Sequence, residues 1–121
     1  MTLTDAELSA LVAEKVCGWK CGIGSPSGRP YWTDEKGVLL QEARFATDSG
    51  LALEAAMKAM AGRELTLTEH PDAWFEAAYR HVDPDGYPGS SGWVSSCGPT
   101  VARALCIAAL RAAGEEVEDD A

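Results

Sequence analysis

The chain has 121 residues, of which 46% are hydrophobic and 24% are charged, and its formal net charge is −9. This length supports one domain with one core, and the ordinary apolar content argues against wholesale disorder. Ten Lys and Arg residues against nineteen Asp and Glu residues do not make the basic footprint of a sequence-independent nucleic-acid binder. We therefore expect no direct binding to nucleic acid.

The first predicted element is a helix that begins after Thr4. Thr4 is a good N-cap, Glu7 completes a capping box three residues later, and Gly18 supplies a stop. The apolar stripe of this helix consists of Leu8, Leu11, Val12 and Val16. The pattern predicts a helix with one buried face.

Short strands and a loop follow. Residues 19–21 are a candidate first strand, and the segment 22–30, rich in Gly, Pro and Ser, is a loop. Residues 31–33 and 38–40 flank a polar turn that ends in Gly37, which predicts a hairpin.

A second helix is predicted to begin within residues 47–49, where each side chain is a possible cap, and to end at Gly62. Its buried stripe is expected to consist of Leu53, Ala56, Met57 and Met60, which follow helical spacing. The charged pair Glu54 and Lys58 falls on the outer side.

The second half of the chain predicts another hairpin and a final helix. Residues 64–69 alternate as a half-buried strand does, and residues 74–82 are rich enough in aromatic side chains to favour a strand. A loop over 83–92 and a short strand at 93–95 follow. The last helix is predicted to begin with Pro99 at its first position, to continue through the apolar segment 100–113 and to stop at Gly114.

These elements predict an α+β fold, a layered sandwich of a small, mostly antiparallel sheet with three helices. We expect residues 1–114 to form this single domain. Five carboxylates crowd the last eight residues, so 115–121 is predicted to be an acidic, disordered tail.

Three segments carry a resemblance to a known family. They are LVAEKVCGW at 11–19, FATDSGLALEAAMKAM at 45–60 and GPTVARALCIAALRAAG at 98–114. Their order and spacing resemble the phage ABA sandwich domain family, although Cys17 stands where that family often has Met and Gly50-Leu51 replaces its Ile-Ala. The resemblance implies a sheet layered with helices, a bacteriophage or prophage origin and a stand-alone accessory protein. The family has no established activity, so no catalytic residue is carried over.

Cysteines and histidines raise two chemical alternatives. Cys17, Cys21 and Cys97, with His70 or His81, could supply zinc ligands, but the C-x₃-C spacing and the missing second pair favour buried thiols. Cys97 precedes a helix and could act as a nucleophile with His81 as its base, although no nucleophile signature surrounds it. We predict no metal site, no cofactor and no catalytic residue.

Aromatic and arginine side chains near the loops form the candidate binding surface. Aromatic faces beside Arg suit a planar ligand or a protein hot spot, although Trp also packs sheets against helices. The candidate ligand- or partner-binding residues are Arg29, Tyr31, Trp32, Arg80 and Trp93.

The resemblance implies a phage accessory protein, and by analogy with other small phage proteins we expect it to bind a host protein stoichiometrically and to inhibit a host defence component. One alternative is a protein that sequesters a small nucleotide-like ligand, and another is a small Cys-dependent enzyme. No signal peptide or membrane span is evident, so we expect the cytoplasm of the bacterial host and no membrane partner. A homo-oligomer is a further option, because the last helix is apolar almost all round.

Overall fold

The computed structural model describes residues 3–23, 30–34, 36–40, 43–61, 63–72, 74–81 and 94–117. Three helices and six strands form in the described parts, and the predicted α+β class is confirmed. The elements are α1 (Asp5–Lys15), β1 (Lys20–Ile23), β2 (Pro30–Thr33), β3 (Leu39–Leu40), α2 (Ser49–Ala59), β4 (Arg63–His70), β5 (Trp74–His81), β6 (Val94–Gly98) and α3 (Val101–Ala112).

The described strands divide into two sheets, where the sequence suggested one. The first sheet has the order β1-β2-β3 and the second the order β4-β5-β6, and every pairing is antiparallel. A short connection joins β2 to β3 and another joins β4 to β5, and these two hairpins account for most of the paired residues. In chain order, α2 lies between the strands of the first sheet and those of the second.

Local capping signals set where the helices begin. The Thr4 hydroxyl accepts from the Glu7 amide, and the Glu7 carboxylate accepts from the Thr4 amide, so the predicted capping box is formed. Asp48 caps α2. The last helix differs by two residues from its prediction: Thr100 is the N-cap and Pro99 precedes it, because the Thr100 hydroxyl satisfies the Arg103 amide.

Helix α3 is the centre of the core. All of its residues from 102 to 110 are buried, and it packs on α2, on strands β5 and β6, and on α1. Leu8 and Val12 of α1 and Trp32 of β2 join the same cluster, so both sheets share one core. The apolar coverage that suggested a subunit interface on α3 is therefore buried within the chain itself.

Helix α2 buries Ala56 and Met60 of the predicted stripe but not Leu53 and Met57. It contacts the core through Ala52, Ala55, Ala56 and Met60, whereas Leu53 and Met57 are 43% and 64% exposed. Small side chains let α2 approach the alanine-rich α3 closely, and dispersion contacts across that seam orient the helix. The larger residues are turned outward as a result.

Two arginines of α3 connect this helix to other segments of the chain, at the start of α1, at β6 and after α3. Arg103 is buried and donates to the Asp5 carboxylate and to the Leu3 carbonyl, each at 2.5 Å. Arg111 donates to the Ser95 carbonyl at 2.7 Å and to the Val117 carbonyl at 2.9 Å.

The start of the acidic tail stays in contact with the domain. The Glu115 amide donates to the Leu110 carbonyl at 2.9 Å, and Val117 packs against the core. The tail residues 118–121 lie outside the described residues. In the parts of the chain described here, no helix combines the length and the apolar character needed to cross a membrane.

Candidate functional site

Of the five residues chosen from sequence, the three that the structure describes are divided between the two sheets, with Tyr31 and Trp32 in β2 and Arg80 in β5. Trp32 is only 8% exposed and lies in the core, which corrects its assignment to a binding surface. Tyr31 is half-buried on the other side of β2, where a methyl group on Gly22 would lie 2.5 Å from its ring. Arg29 and Trp93 lie outside the described residues.

Arg80 is the predicted residue that belongs to a candidate binding surface on the second sheet. It lies in β5, in the other sheet from Tyr31 and Trp32, and its Nε donates to the Glu64 carboxylate at 2.8 Å. Glu64 is directly opposite Arg80 in the β4–β5 register. A directly opposite charge pair of this kind is a unit of sheet stabilisation.

The sheet β4–β6 has two different faces. Phe75, Ala77 and Tyr79 point to the core, and α3 packs against β5 and β6 on that side. Because successive strand residues alternate between faces, the intervening side chains form an opposite surface, which we call the outer sheet face. Its members are Glu64, Thr66, Thr68 and His70 of β4, Trp74, Glu76, Ala78 and Arg80 of β5, and Ser95 and Cys97 of β6.

An aromatic stack forms one end of the outer sheet face. The rings of His70 and Trp74 lie 3.7 Å apart between centroids and are almost parallel, at 4°. His70 also contacts Glu76, with 3.2 Å between Nε2 and Oε1. Hydrogen bonds from the Ser95 hydroxyl and then from the His70 ring lower the pKa of Glu76 below its ordinary value of 4.5.

These contacts fix the side chains of the outer sheet face before any partner arrives. The face presents a Trp and an Arg, residue types enriched in binding hot spots, at opposite ends of β5. Side chains that are already ordered lose less conformational entropy on binding. The arrangement suits a flat, partly polar protein surface.

Sequence reasoning missed His70, Trp74 and Glu76 as members of one surface. The signal was present, because a tight turn between two eight-residue strands fixes their pairing and places His70 opposite Trp74. Alternation along each strand then assigns the remaining outer residues.

A second candidate site is a cavity of about 580 Å³ where the three helices begin. Asp5 is the first residue of α1, Ser49 is the first of α2, and Thr100 caps α3. We call it the helix-start cavity. Arg103 lines it, but Asp5 already neutralises that guanidinium at 2.5 Å.

The cysteines do not assemble a reaction centre in the described parts of the chain. Cys17 and Cys106 are buried, and burial raises the pKa of the Cys106 thiol to about 12. Cys97 lies opposite Glu76, five residues along β5 from His81, or about 17 Å at the rise of a strand. The backbone positions of Cys97 and His81 are therefore far apart in the sheet.

Metal ligands do not gather either. Among the described residues, no group of three or more His, Cys, Asp or Glu side chains is arranged to hold an ion. Cys21 lies on the first sheet, and Cys97 and His70 lie on the second. The zinc set considered from sequence is thus distributed over the fold.

Comparisons with known proteins give one structural likeness. The chain resembles a phage protein from Bacillus cereus ATCC 14579, whose crystal structure matches with a TM-score of 0.61 at 15% identity, over 98% of this chain and 94% of that one. At this identity the likeness establishes a shared fold. No family model and no curated protein matches the chain, so membership of the phage ABA sandwich domain family stays a prediction.

Proposed function

We propose that this chain is a phage- or prophage-encoded accessory protein that binds a host protein stoichiometrically, inhibits a host defence component and performs no catalysis. The fold shared with a phage protein supports the phage origin, as does the sequence resemblance to a phage family. The fold by itself assigns no function, so the argument for binding rests on the surface.

The outer sheet face is the observation that carries the proposal. Its ion pair, its His–Trp stack and the Glu76 hydrogen bonds hold a Trp and an Arg in fixed positions on a flat sheet. Such a surface is built for protein contact: the aromatic side chain supplies apolar area, and Arg80 supplies a directional donor.

Charge favours a basic partner. The outer sheet face has its opposite charges close together, whereas the whole chain carries a formal charge of −9. A field of that sign accelerates encounter with a positively charged protein, such as one that itself binds nucleic acid, and the local pairs then set the orientation.

The test is capture of host proteins by tagged variants. We expect Trp74→Ala and Arg80→Ala to lose a bacterial protein that the parent chain retains in a 1:1 ratio. Met57→Ala, which truncates a 64%-exposed side chain on α2, is the matched control and retains it. Circular dichroism verifies that each variant folds. Equal retention by all four proteins contradicts the proposed surface.

The helix-start cavity favours a second candidate function, the sequestration of a small nucleotide-like ligand. Its volume of about 580 Å³ is in the range of small-molecule sites, and three helix N-termini attract a phosphate. Asp5 opposes an anion there. Asp5→Asn removes that negative charge, so this variant should bind nucleotides more tightly than the parent chain. Absence of bound nucleotide by native mass spectrometry for both proteins rejects this candidate.

A further inference from the structure

The two edges of the β4–β6 sheet differ. The edge strand β6 has its Ser95 carbonyl occupied by Arg111, which also holds Val117. Strand β4 forms a ladder only with β5 among the described residues. In the described parts of the chain, one sheet edge therefore has a main-chain carbonyl occupied by Arg111, and no further strand pairs with the other edge, at β4.

Strand β4 is long and exposed for an edge. It spans eight residues, and its members from Thr66 to Glu69 are all exposed. Leu67 lies on the core side of the sheet but is 47% exposed, because α3 packs over β5 and β6 and not over β4. An apolar side chain stands at the open edge as a result.

The sequence of β4 is complementary to itself when a second copy runs antiparallel. We propose that two copies of the chain pair through β4 about a two-fold axis at Thr66, forming a continuous six-stranded sheet. Leu65 then faces Leu67 of the second copy. Arg63, which donates to the Ala59 carbonyl of its own chain at 2.9 Å, faces Glu69 of the second copy. Because the axis relates the chains, each of these contacts occurs twice.

In the same register, the residues on the outer sheet face of the two β4 strands are also compatible with pairing. Thr66 meets its own equivalent, and Glu64 meets Thr68 of the second copy, so no like charges stand directly opposite one another. Threonine pairs across antiparallel strands are favourable. Glu64 keeps its contact with Arg80, because both belong to one chain.

Neighbouring registers are less favourable. A shift that centres the axis between Thr66 and Leu67 places core-side residues opposite outer ones, which the pleat of a sheet does not allow. A centre at Leu67 places Leu65 opposite Glu69 of the second copy, an apolar side chain against a carboxylate. The Thr66 centre matches apolar with apolar and positive with negative.

The inference is independent of the proposed host partner. The dimer joins two outer sheet faces into one surface, and its contact uses β4 side chains only, so Trp74 and Arg80 of β5 take no part in it. Main-chain hydrogen bonds supply the affinity and the side-chain pairs supply the register, as in other strand-addition interfaces.

Sedimentation of the full chain over a range of concentrations tests the dimer. We expect a monomer–dimer equilibrium, and we expect Leu67→Lys to raise the dimer dissociation constant by about tenfold or more. Val94→Lys, at a 39%-exposed apolar position on the opposite edge strand, is the matched control and leaves the constant unchanged. A parent chain that is monomeric at every concentration overturns the inference, as does a dimer that Leu67→Lys leaves intact.

A charge exchange tests the register. Arg63→Glu sets two pairs of carboxylates face to face in its own dimer, and Glu69→Arg sets two pairs of guanidinium groups face to face. Each variant alone should be monomeric where the parent chain dimerises. An equimolar mixture restores both attractive pairs and should dimerise, with both variants folded by circular dichroism. Failure of the mixture to associate contradicts the Thr66 centre.

Discussion

Arg103 is a buried charged side chain whose removal should destabilise the fold strongly. The residue is 8% exposed and donates to a carboxylate and a main-chain carbonyl, at Asp5 and Leu3. Arg103→Met keeps the aliphatic stem and deletes both hydrogen bonds. The bond to the Leu3 carbonyl involves a charged donor and contributes about 1.5–3 kcal/mol.

The Asp5 contribution is smaller because the Asp5 side chain is 57% exposed. Solvent screening limits a pair of that kind to about 0–1 kcal/mol. We therefore expect Arg103→Met to lower the free energy of unfolding by about 2–3 kcal/mol, with a Tm lower by about 6–12 °C for a chain of this size. Asp5→Asn should cost about 1 kcal/mol or less.

Urea denaturation followed by circular dichroism measures both variants, and the double variant gives their coupling energy. The order of the two effects is the decisive result. If Asp5→Asn destabilises the protein as much as Arg103→Met, the carboxylate and not the Leu3 carbonyl is the main partner, and the reasoning from exposure is refuted.

Three further predictions concern single contacts. Ser9→Ala removes the hydroxyl that accepts from the buried Ala46 amide at 2.9 Å, and should cost about 1–3 kcal/mol in urea denaturation; a cost near zero contradicts the contact. Thr100→Ala removes the cap of α3 and should cost about 1 kcal/mol in the same assay, with an unchanged stability refuting the cap. The pKa of Glu76 is lower in the folded state than in the unfolded state, so ionised Glu76 stabilises the fold above the unfolded-state pKa, and this stabilisation is lost as the pH falls through the folded-state pKa. Glu76→Gln should therefore flatten the dependence of the unfolding free energy on pH in that acidic range. An unaltered pH dependence counts against the hydrogen bonds from Ser95 and His70.

Local chemistry made several element boundaries predictable, although the Thr100 cap of α3 was missed. The Thr4 capping box, the Asp48 cap and the turn between β4 and β5 each depend on residues within a few positions of one another. Such signals are present in the sequence in full, because the hydrogen bonds that express them are short in range. The predicted strand over 74–82 was correct for the same reason.

Features that depend on distant packing were not predictable. The outward position of Leu53 and Met57 follows from how closely two alanine faces meet, and that distance is a property of both helices together. Trp32 joins the core because the first sheet packs onto α1, and no local pattern separates a buried Trp from an exposed one. The division into two sheets is equally a matter of long-range pairing.

The placement of α3 has a consequence for biosynthesis. This helix follows every other described element in the chain, yet it forms the centre of the core and its two arginines hold segments on either side, at Leu3 and Val117. A ribosome releases α3 last among these elements, so the earlier ones emerge with their apolar faces uncovered. Nascent chains should stay open and sensitive to proteases until α3 clears the exit tunnel, and then fold in a single step.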